Sequence, residues 1–143
     1  MYLFSIIVKK NNMKTKLDKI LAEISAGELI DKITILEIKK NKITNQEKLL
    51  EINRELVSLN QTFAHFIPKN QDIEKLINKL KEINLTLWDI EDKKRLAEKK
   101  QSFGEEFIKL ARNVYKLNDL RAEVKLQINK LLGSNIKEVK SYD

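Results

Sequence analysis

Residues 71–101 read QDIEKLINKLKEINLTLWDIEDKKRLAEKKQ, a run without glycine or proline. Their apolar side chains recur every three or four residues, at Ile73, Leu76, Leu80, Ile83, Leu87 and Ile90. This spacing lines one face of an α-helix and is typical of a coiled-coil seam. The stretch therefore predicts a long amphipathic helix whose apolar face needs a neighbouring helix.

The sequence that follows predicts such a neighbour. Ser102-Phe103-Gly104-Glu105 has the spacing of a capping box that begins a helix, and Gly133 is placed to end it. The apolar positions in between are Phe107, Leu110, Val114, Leu117, Val124, Ile128 and Leu131. Since the turn is short, the two helices should form a long antiparallel hairpin.

A further helix is predicted ahead of this hairpin, from the capping box Ser25-Ala26-Gly27-Glu28 to about Phe66. It would extend roughly 60 Å without a breaker, although the polar stretch 39–46 could hide a bend. We therefore expect an all-α, three-helix bundle-like domain over residues 25–134. Residues 1–24 would be a lead-in partly outside that domain, in which 14–24 fit a short helix or a strand. Residues 135–143 would be a loose tail.

Composition limits the functions open to the chain. Its 143 residues include no Cys and one His, which excludes disulfides, thiolate metal sites and multi-His metal sites. No cofactor motif such as a Gly-rich phosphate loop is present, so we expect neither cofactor nor metal. The absence of Cys is consistent with a cytoplasmic location, which we predict.

Charge and hydropathy bear on the partners. The net charge is +7, but the basic residues are interleaved with 21 acidic ones and no aromatic row could stack bases, so we expect no nucleic-acid partner. The longest apolar run, residues 1–8, is too short to span a bilayer and has its lysines after it, unlike a signal peptide. Met13 is an alternative start, which would make residues 1–12 an upstream extension.

Polar side chains that flank the apolar seams form the candidate site. They are Trp88, Glu91, Asp92 and Arg95 on the second predicted helix, and Arg112, Tyr115 and Asp119 on the third. In a hairpin that turns near residue 102, Asp92 lies level with Arg112, and Trp88 with Tyr115. An Asp–Arg pair beside two aromatic rings could hold a small anionic or planar ligand, or could be an ion pair that fixes the helix register.

Arg121 completes the candidate set because it stands at a core position of the third helix's seam. A buried arginine needs a carboxylate or an anion, and Asn84 is roughly level with it. Alternatively, its side chain extends to the edge of the bundle.

Several segments resemble the signature of a family of short bacterial helical proteins catalogued only as a domain of unknown function. The segments are GELIDKITILEIK (27–39), LWDIED (87–92), FIKLARNVY (107–115), Asn118-Asp119, Arg121-Ala122, Gly133-Ser134 and the tail from Glu138 to Tyr142. The resemblance covers about residues 25–142. It implies no activity, and therefore no catalytic residue. It implies a family pattern that includes Glu28, Asp31, Lys32, Glu37, Trp88, Glu91, Asp92, Arg112, Tyr115, Asn118, Asp119 and Arg121.

We interpret the chain as a non-enzymatic module that self-associates and binds a protein partner or a small anion. One alternative is an enzyme, since three-helix dimers of the chorismate-mutase type build polar sites between helices; the likeness is of architecture alone. The other is nucleic-acid binding, which only the charge suggests.

A homodimer through the first predicted helix is also expected, because that helix carries two opposed apolar stripes. One stripe is Leu36, Ile43, Leu50 and Val57, and the other is Ile38, Leu49, Ile52, Leu56, Leu59 and Phe63. Two stripes call for two neighbours. In addition, the apolar start of this long helix should overhang the hairpin and need cover from a partner or from residues 1–24.

Overall fold

The computed structural model describes residues 16–141, which contain four α-helices and no β-strand. In chain order the helices are α1 (Ala26–Lys42), α2 (Gln46–Phe66), α3 (Gln71–Lys99) and α4 (Glu105–Leu132). The all-α prediction is confirmed, whereas the expected count of three helices is wrong. Neither the short helix nor the strand considered for 14–24 forms in its described part. The start at Met13 and the apolar run 1–8 lie outside the described residues.

The chain breaks the expected first helix at residues 43–45. The backbone of Ile43 is extended, with φ −91° and ψ 133°, and its N–H donates to Lys39 O, which closes α1. The side chain of Asn45 accepts a hydrogen bond from the N–H of Lys48 at 3.0 Å and so caps α2. An asparagine oxygen stabilises a helix start because the first N–H groups have no partner within the helix. The polar stretch thus holds a complete turn rather than a bend.

α2 folds back along α1 because the connection between them is only three residues long. One buried cluster joins Leu29, Ile33 and Leu36 of α1 to Ile52 and Leu56 of α2. The apolar start of α1, which was expected to overhang, is therefore covered by the same chain.

The two apolar stripes that were expected on one helix are divided between α1 and α2. Most of the apolar residues of these two helices face each other. This removes the overhang as an argument for a dimer. Leu50 and Val57 of the first stripe are nevertheless exposed on the outer side of α2. The dimer itself stays a prediction.

α1 is the central helix of the bundle. It lies against α2, α3 and α4, and α3 and α4 also pack against each other. A second buried cluster joins Ile30 of α1 to Leu80 and Ile83 of α3 and to Val124 and Ile128 of α4.

The two ends of α4 fit the sequence prediction differently. The helix begins at Glu105 after Gly104, and no side chain caps it. Ser102, the expected cap, instead donates its backbone N–H to Ala97 O at the end of α3, so the second capping box is wrong. Gly133 ends the helix as predicted, with φ 62° and ψ 40°, a left-handed conformation that glycine adopts without steric cost.

The start of α1 is fastened to the far end of α4. Ser25 Oγ accepts a hydrogen bond from the N–H of Glu28 at 3.1 Å, but the Glu28 carboxylate binds Lys125 Nζ at 2.7 Å instead of completing the capping box. Gly27 donates its N–H to Asn129 Oδ1 at 2.7 Å. A Cβ at Gly27 would lie 2.6 Å from Lys125 O, so this close approach requires glycine.

α3 and α4 extend beyond the other two helices. α3 has 29 residues, about 44 Å, whereas α1 has 17, about 26 Å. An ion pair of 3.6 Å between Lys42 Nζ, in the last residue of α1, and Asp89 Oδ1 marks how far α1 reaches along α3. The structure describes the whole segment between Ile90 and Val124, and none of its residues is buried. We name residues 91–116 the distal hairpin, and residues 26–90 with 117–132 the four-helix half.

Within residues 16–141, no helix has the length and hydropathy needed to cross a membrane.

Candidate functional site

A buried carboxylate lies at the centre of the four-helix half. Asp31 of α1 is 2% exposed. Arg121 of α4 donates Nε–H to Asp31 Oδ1 at 2.9 Å and Nη2–H to Oδ2, a two-point contact. Asn84 of α3 donates its Nδ2–H to the same Oδ1 and to Thr34 Oγ1, both at 2.9 Å. The carboxylate that Arg121 was expected to need is thus supplied by α1.

Lys125, one turn further along α4, extends this arrangement. Its Nζ lies 2.7 Å from Glu28 Oε2, 3.6 Å from Asp31 Oδ2 and 3.3 Å from Glu138 Oε2. Because Glu138 belongs to the tail, the tail is held against α4 by charge. We name the connected side chains the Asp31 cluster: Glu28, Asp31, Thr34, Asn84, Arg121 and Lys125.

Three members of the cluster, Asp31, Arg121 and Lys125, have pKa values shifted in the direction that favours their charged forms. Burial alone raises the pKa of Asp31, but hydrogen bonds from Arg121 and Asn84, with the charges of Arg121 and Lys125, lower that pKa below its usual value. The hydrogen bond to Asp31 raises the pKa of Arg121. Burial lowers the pKa of Lys125, but Glu28 and Asp31 more than offset it and the pKa is raised. Paired charges of this kind join three helices and fix their register.

A cleft of about 300 Å³ opens beside the cluster, between α1 and α3. Its apolar lining is Ile35, Ile38, Leu87 and Trp88, and its polar lining is Asn84, Glu91, Asp92, Arg95 and Arg121. The structure thus brings together the candidate residues on the second predicted helix, now α3, and adds Arg121 from α4. Glu91 is paired with Lys94 at 3.3 Å. Asp92 and Arg95 form no hydrogen bond or ion pair within residues 16–141.

The remaining candidates, Arg112, Tyr115 and Asp119, do not line this cleft. Arg112 lines a separate groove on the outer face of α4, with Lys109 and Lys116. Tyr115 is 53% exposed. Within residues 16–141 neither Asp92 nor Arg112 forms a hydrogen bond or ion pair, so the expected pair between the helices is not made. The reason is geometric: once the apolar seam of α4 faces α3, the helical period turns Arg112 outward.

Sequence reasoning missed Asp31 as the partner of Arg121. A signal was present, because Asp31 follows Ile30 and precedes Ile33 on a helix that is apolar on two sides. A carboxylate on such a helix requires a buried cation, and the seam of α4 offered one. Glu28 was interpreted as a capping residue, which concealed its contact with Lys125.

No group of three or more His, Cys, Asp or Glu side chains in the described part of the chain, 16–141, is placed to hold a metal ion.

Residues 16–141 thus fold into four helices, and the central one, α1, is held by buried charge pairs. The chain belongs to a family of unknown function, DUF6165, whose model matches residues 20–143. The resemblance to a family without an assigned function is thereby confirmed, while its bacterial origin stays a prediction. No curated protein and no solved structure shows a significant match to the chain.

Proposed function

We propose that this chain is a non-enzymatic helical module that self-associates through its distal hairpin. The observation that carries the proposal is the contrast in burial along α3 and α4. Where α1 fills the groove between them, Leu80, Val124 and Ile128 are fully buried. Beyond α1 no residue of either helix is buried before the tip. A pair of helices with an apolar seam gains stability when further helices cover it.

The apolar surface of the distal hairpin supports the same proposal. Ile108 and Tyr115 are 54% and 53% exposed, and Phe103 near the tip is 46% exposed. Exposed apolar groups gathered on one element, rather than scattered singly, are typical of an interaction surface. A second copy can cover them without any other partner, and closed symmetric dimers are the commonest assemblies of soluble proteins.

The mass in solution tests this function. We expect sedimentation equilibrium to give twice the 16.8 kDa of one chain. Ile108→Glu combined with Tyr115→Glu should yield a monomer with unchanged helical content. Leu50→Glu is the matched control because Leu50 is 67% exposed on α2, outside the distal hairpin. A monomeric wild type at all concentrations up to about 1 mM would contradict the proposal, as would equal dissociation by the control.

A second candidate function is binding of a small aromatic carboxylate in the cleft. It is favoured by one observation: Trp88, Arg95 and Arg121 line the same opening of about 300 Å³. An aromatic wall with a few polar groups is typical of ligand sites, and guanidinium groups suit carboxylates. Arg121 keeps spare N–H groups, since its Nη1 makes only a 3.4 Å contact with Asn118 Oδ1.

Thermal-shift measurements with benzoate, phenylacetate and indole-3-acetate test the second candidate, with benzyl alcohol as the uncharged control. At about 100 times the dissociation constant a ligand stabilises the fold by about 2.7 kcal/mol. Trp88→Ala and Arg95→Gln should remove the shift. Tyr115→Ala and Arg112→Gln, the same residue types outside the cleft, should retain it. Absence of any shift with all three carboxylates would rule the candidate out.

A further inference from the structure

The cleft between α1 and α3 is lined by two charged side chains that have no ion-pair partner among the described residues. Asp92 and Arg95 form neither a hydrogen bond nor an ion pair within residues 16–141. The other two charged residues of the lining are paired: Glu91 with Lys94 at 3.3 Å, and Arg121 with Asp31. One carboxylate and one guanidinium of the cleft are therefore available to a ligand.

The Asp31 cluster beneath the cleft offers a ligand no unbalanced charge. Its two carboxylates, Glu28 and Asp31, face its two cations, Arg121 and Lys125. Arg121 can therefore donate a hydrogen bond to a ligand, but its charge is already matched. A ligand that carries only a carboxylate could bind Arg95, but it would lie near Asp92 and leave that like charge unpaired. A ligand with one positive and one negative group would satisfy both side chains.

Asp92 and Arg95 are close enough for one small zwitterion to reach both. Residues three apart on a helix lie on the same side, with Cβ atoms about 5–6 Å from each other. In an α-amino acid the ammonium and the carboxylate are attached to the same carbon atom. The ammonium can donate hydrogen bonds to the Asp92 carboxylate while the ligand's carboxylate accepts them from the Arg95 guanidinium.

The apolar part of the cleft lies on one side of this charged pair. Trp88 is four residues before Asp92, about one helical turn, whereas Arg95 is three residues after it. Leu87 and Ile38 line the cleft together with Trp88. A ligand side chain directed from Asp92 towards Trp88 therefore meets apolar surface, on which an aromatic ring can stack. The cleft volume of about 300 Å³ suits a ligand of this size.

We infer that the cleft binds an aromatic α-amino acid, with its ammonium at Asp92, its carboxylate at Arg95 and its ring against Trp88. The inference rests on the second candidate function and names the chemical class of its ligand. It gives Asp92 a contact that an aromatic carboxylate without an ammonium group cannot make.

Trp88 is the single tryptophan of the chain, so its fluorescence reports binding in the cleft. L-Phenylalanine is the probe, because its ring does not absorb at the wavelengths that excite tryptophan. Two analogues each lack one charge: 3-phenylpropionate has no ammonium, and phenethylamine has no carboxylate. We expect L-phenylalanine to bind at least about tenfold more tightly than either analogue, since each charged group adds its own hydrogen bonds.

Two variants test the two contacts separately. Asp92→Asn should weaken the binding of L-phenylalanine by about tenfold and leave that of 3-phenylpropionate no weaker. Arg95→Gln should weaken the binding of L-phenylalanine to a similar degree and leave that of phenethylamine no weaker. Asp119→Asn is the matched control, because it makes the same change on α4 outside the cleft, and it should leave all three dissociation constants unchanged. Circular dichroism confirms that the variants retain their helical content.

The outcomes separate this inference from the candidate function beneath it. If none of the three compounds binds, the second candidate function fails and the inference fails with it. If L-phenylalanine and 3-phenylpropionate bind equally well, or if Asp92→Asn leaves the binding of L-phenylalanine unchanged, the amino-acid assignment is wrong while carboxylate binding stands.

Discussion

The four-helix half and the distal hairpin are both built on α3 and α4, but the groove between these two helices is filled in one half and open in the other. In the four-helix half α1 fills the groove, and the arginine on its wall, Arg121, is bound at two points by a buried carboxylate. In the distal hairpin the groove is open, and its arginine, Arg95, has no partner within residues 16–141. The same type of side chain is thus structural in one half and available for contacts in the other. Burial and pairing, rather than residue type, decide its role.

The largest effect is expected in the core between α1 and α2. Leu56→Glu places a charge among Leu29, Ile33 and Ile52 and should lower the free energy of unfolding by about 4 kcal/mol or more. Leu50→Glu, on the exposed side of the same helix, should change it by less than about 0.5 kcal/mol. Urea denaturation measures both.

The Leu50 variant also distinguishes association through the distal hairpin from association through α2. If association uses the distal hairpin, Leu50→Glu leaves the mass unchanged. A fall to the mass of one chain would move the interface to α2, within the segment that the sequence pattern first suggested.

Removing the buried carboxylate should have the next largest effect. Asp31→Ala leaves Arg121 and Lys125 without their shared partner and should cost about 3–5 kcal/mol of unfolding free energy. Asp92→Ala is the matched control in the cleft and should cost less than about 0.5 kcal/mol in dilute, monomeric protein. Equal losses of unfolding free energy in the two variants would show that the carboxylate in the four-helix half is no more important for stability than the one in the cleft.

The close approach of α1 to α4 predicts a smaller loss. Gly27→Ala places a Cβ 2.6 Å from Lys125 O and should cost about 1–3 kcal/mol, because the backbone has to shift. Gly104→Ala, which meets no atom within 4 Å, should be nearly neutral. An unchanged melting temperature for Gly27→Ala would mean that this helix contact is loose.

The stability that the Asp31 cluster contributes should depend on acid. The folded-state pKa of Asp31 lies below its ordinary value of 3.8. The contribution of its carboxylate is therefore complete above that value and is lost as the pH falls through the folded pKa. Urea denaturation from pH 7 to pH 2 should show this loss in the wild type and a smaller one in Asp31→Asn. If the stability of the wild type and of Asp31→Asn fell in parallel with pH, Asp31 would be excluded as the source of the acid dependence.

The sequence predicted what local periodicity determines. The bounds of α3 and the end of α4 at Gly133 follow from apolar spacing and glycine. The single face shared by Trp88, Glu91 and Arg95 needs only the helical period, and these residues do line one cleft. The turn at Asn45 was missed because the apolar period runs on through it, so only the capping side chain marks the break.

Features that depend on packing between helices could not be predicted from the pattern of each helix alone. Whether Arg112 faces inward depends on how α4 rotates against α3. The choice of Asp31 as the partner of Arg121 depends on α1 lying in the groove, 90 residues away in sequence. Once α1 and α2 are recognised as separate helices, most residues of the two apolar stripes pack within the chain, whereas Leu50 and Val57 stay exposed.

Hydrogen exchange followed by mass spectrometry at low and high protein concentration tests the contrast between the two halves most directly. Self-association through the distal hairpin should slow exchange in residues 91–116 as the concentration rises, while residues 26–42 exchange at an unchanged rate. Ile108→Glu combined with Tyr115→Glu should abolish this concentration dependence and leave exchange in the four-helix half as it is. Exchange in residues 91–116 that is the same at every concentration, or protection that appears on α2 instead, would contradict the account.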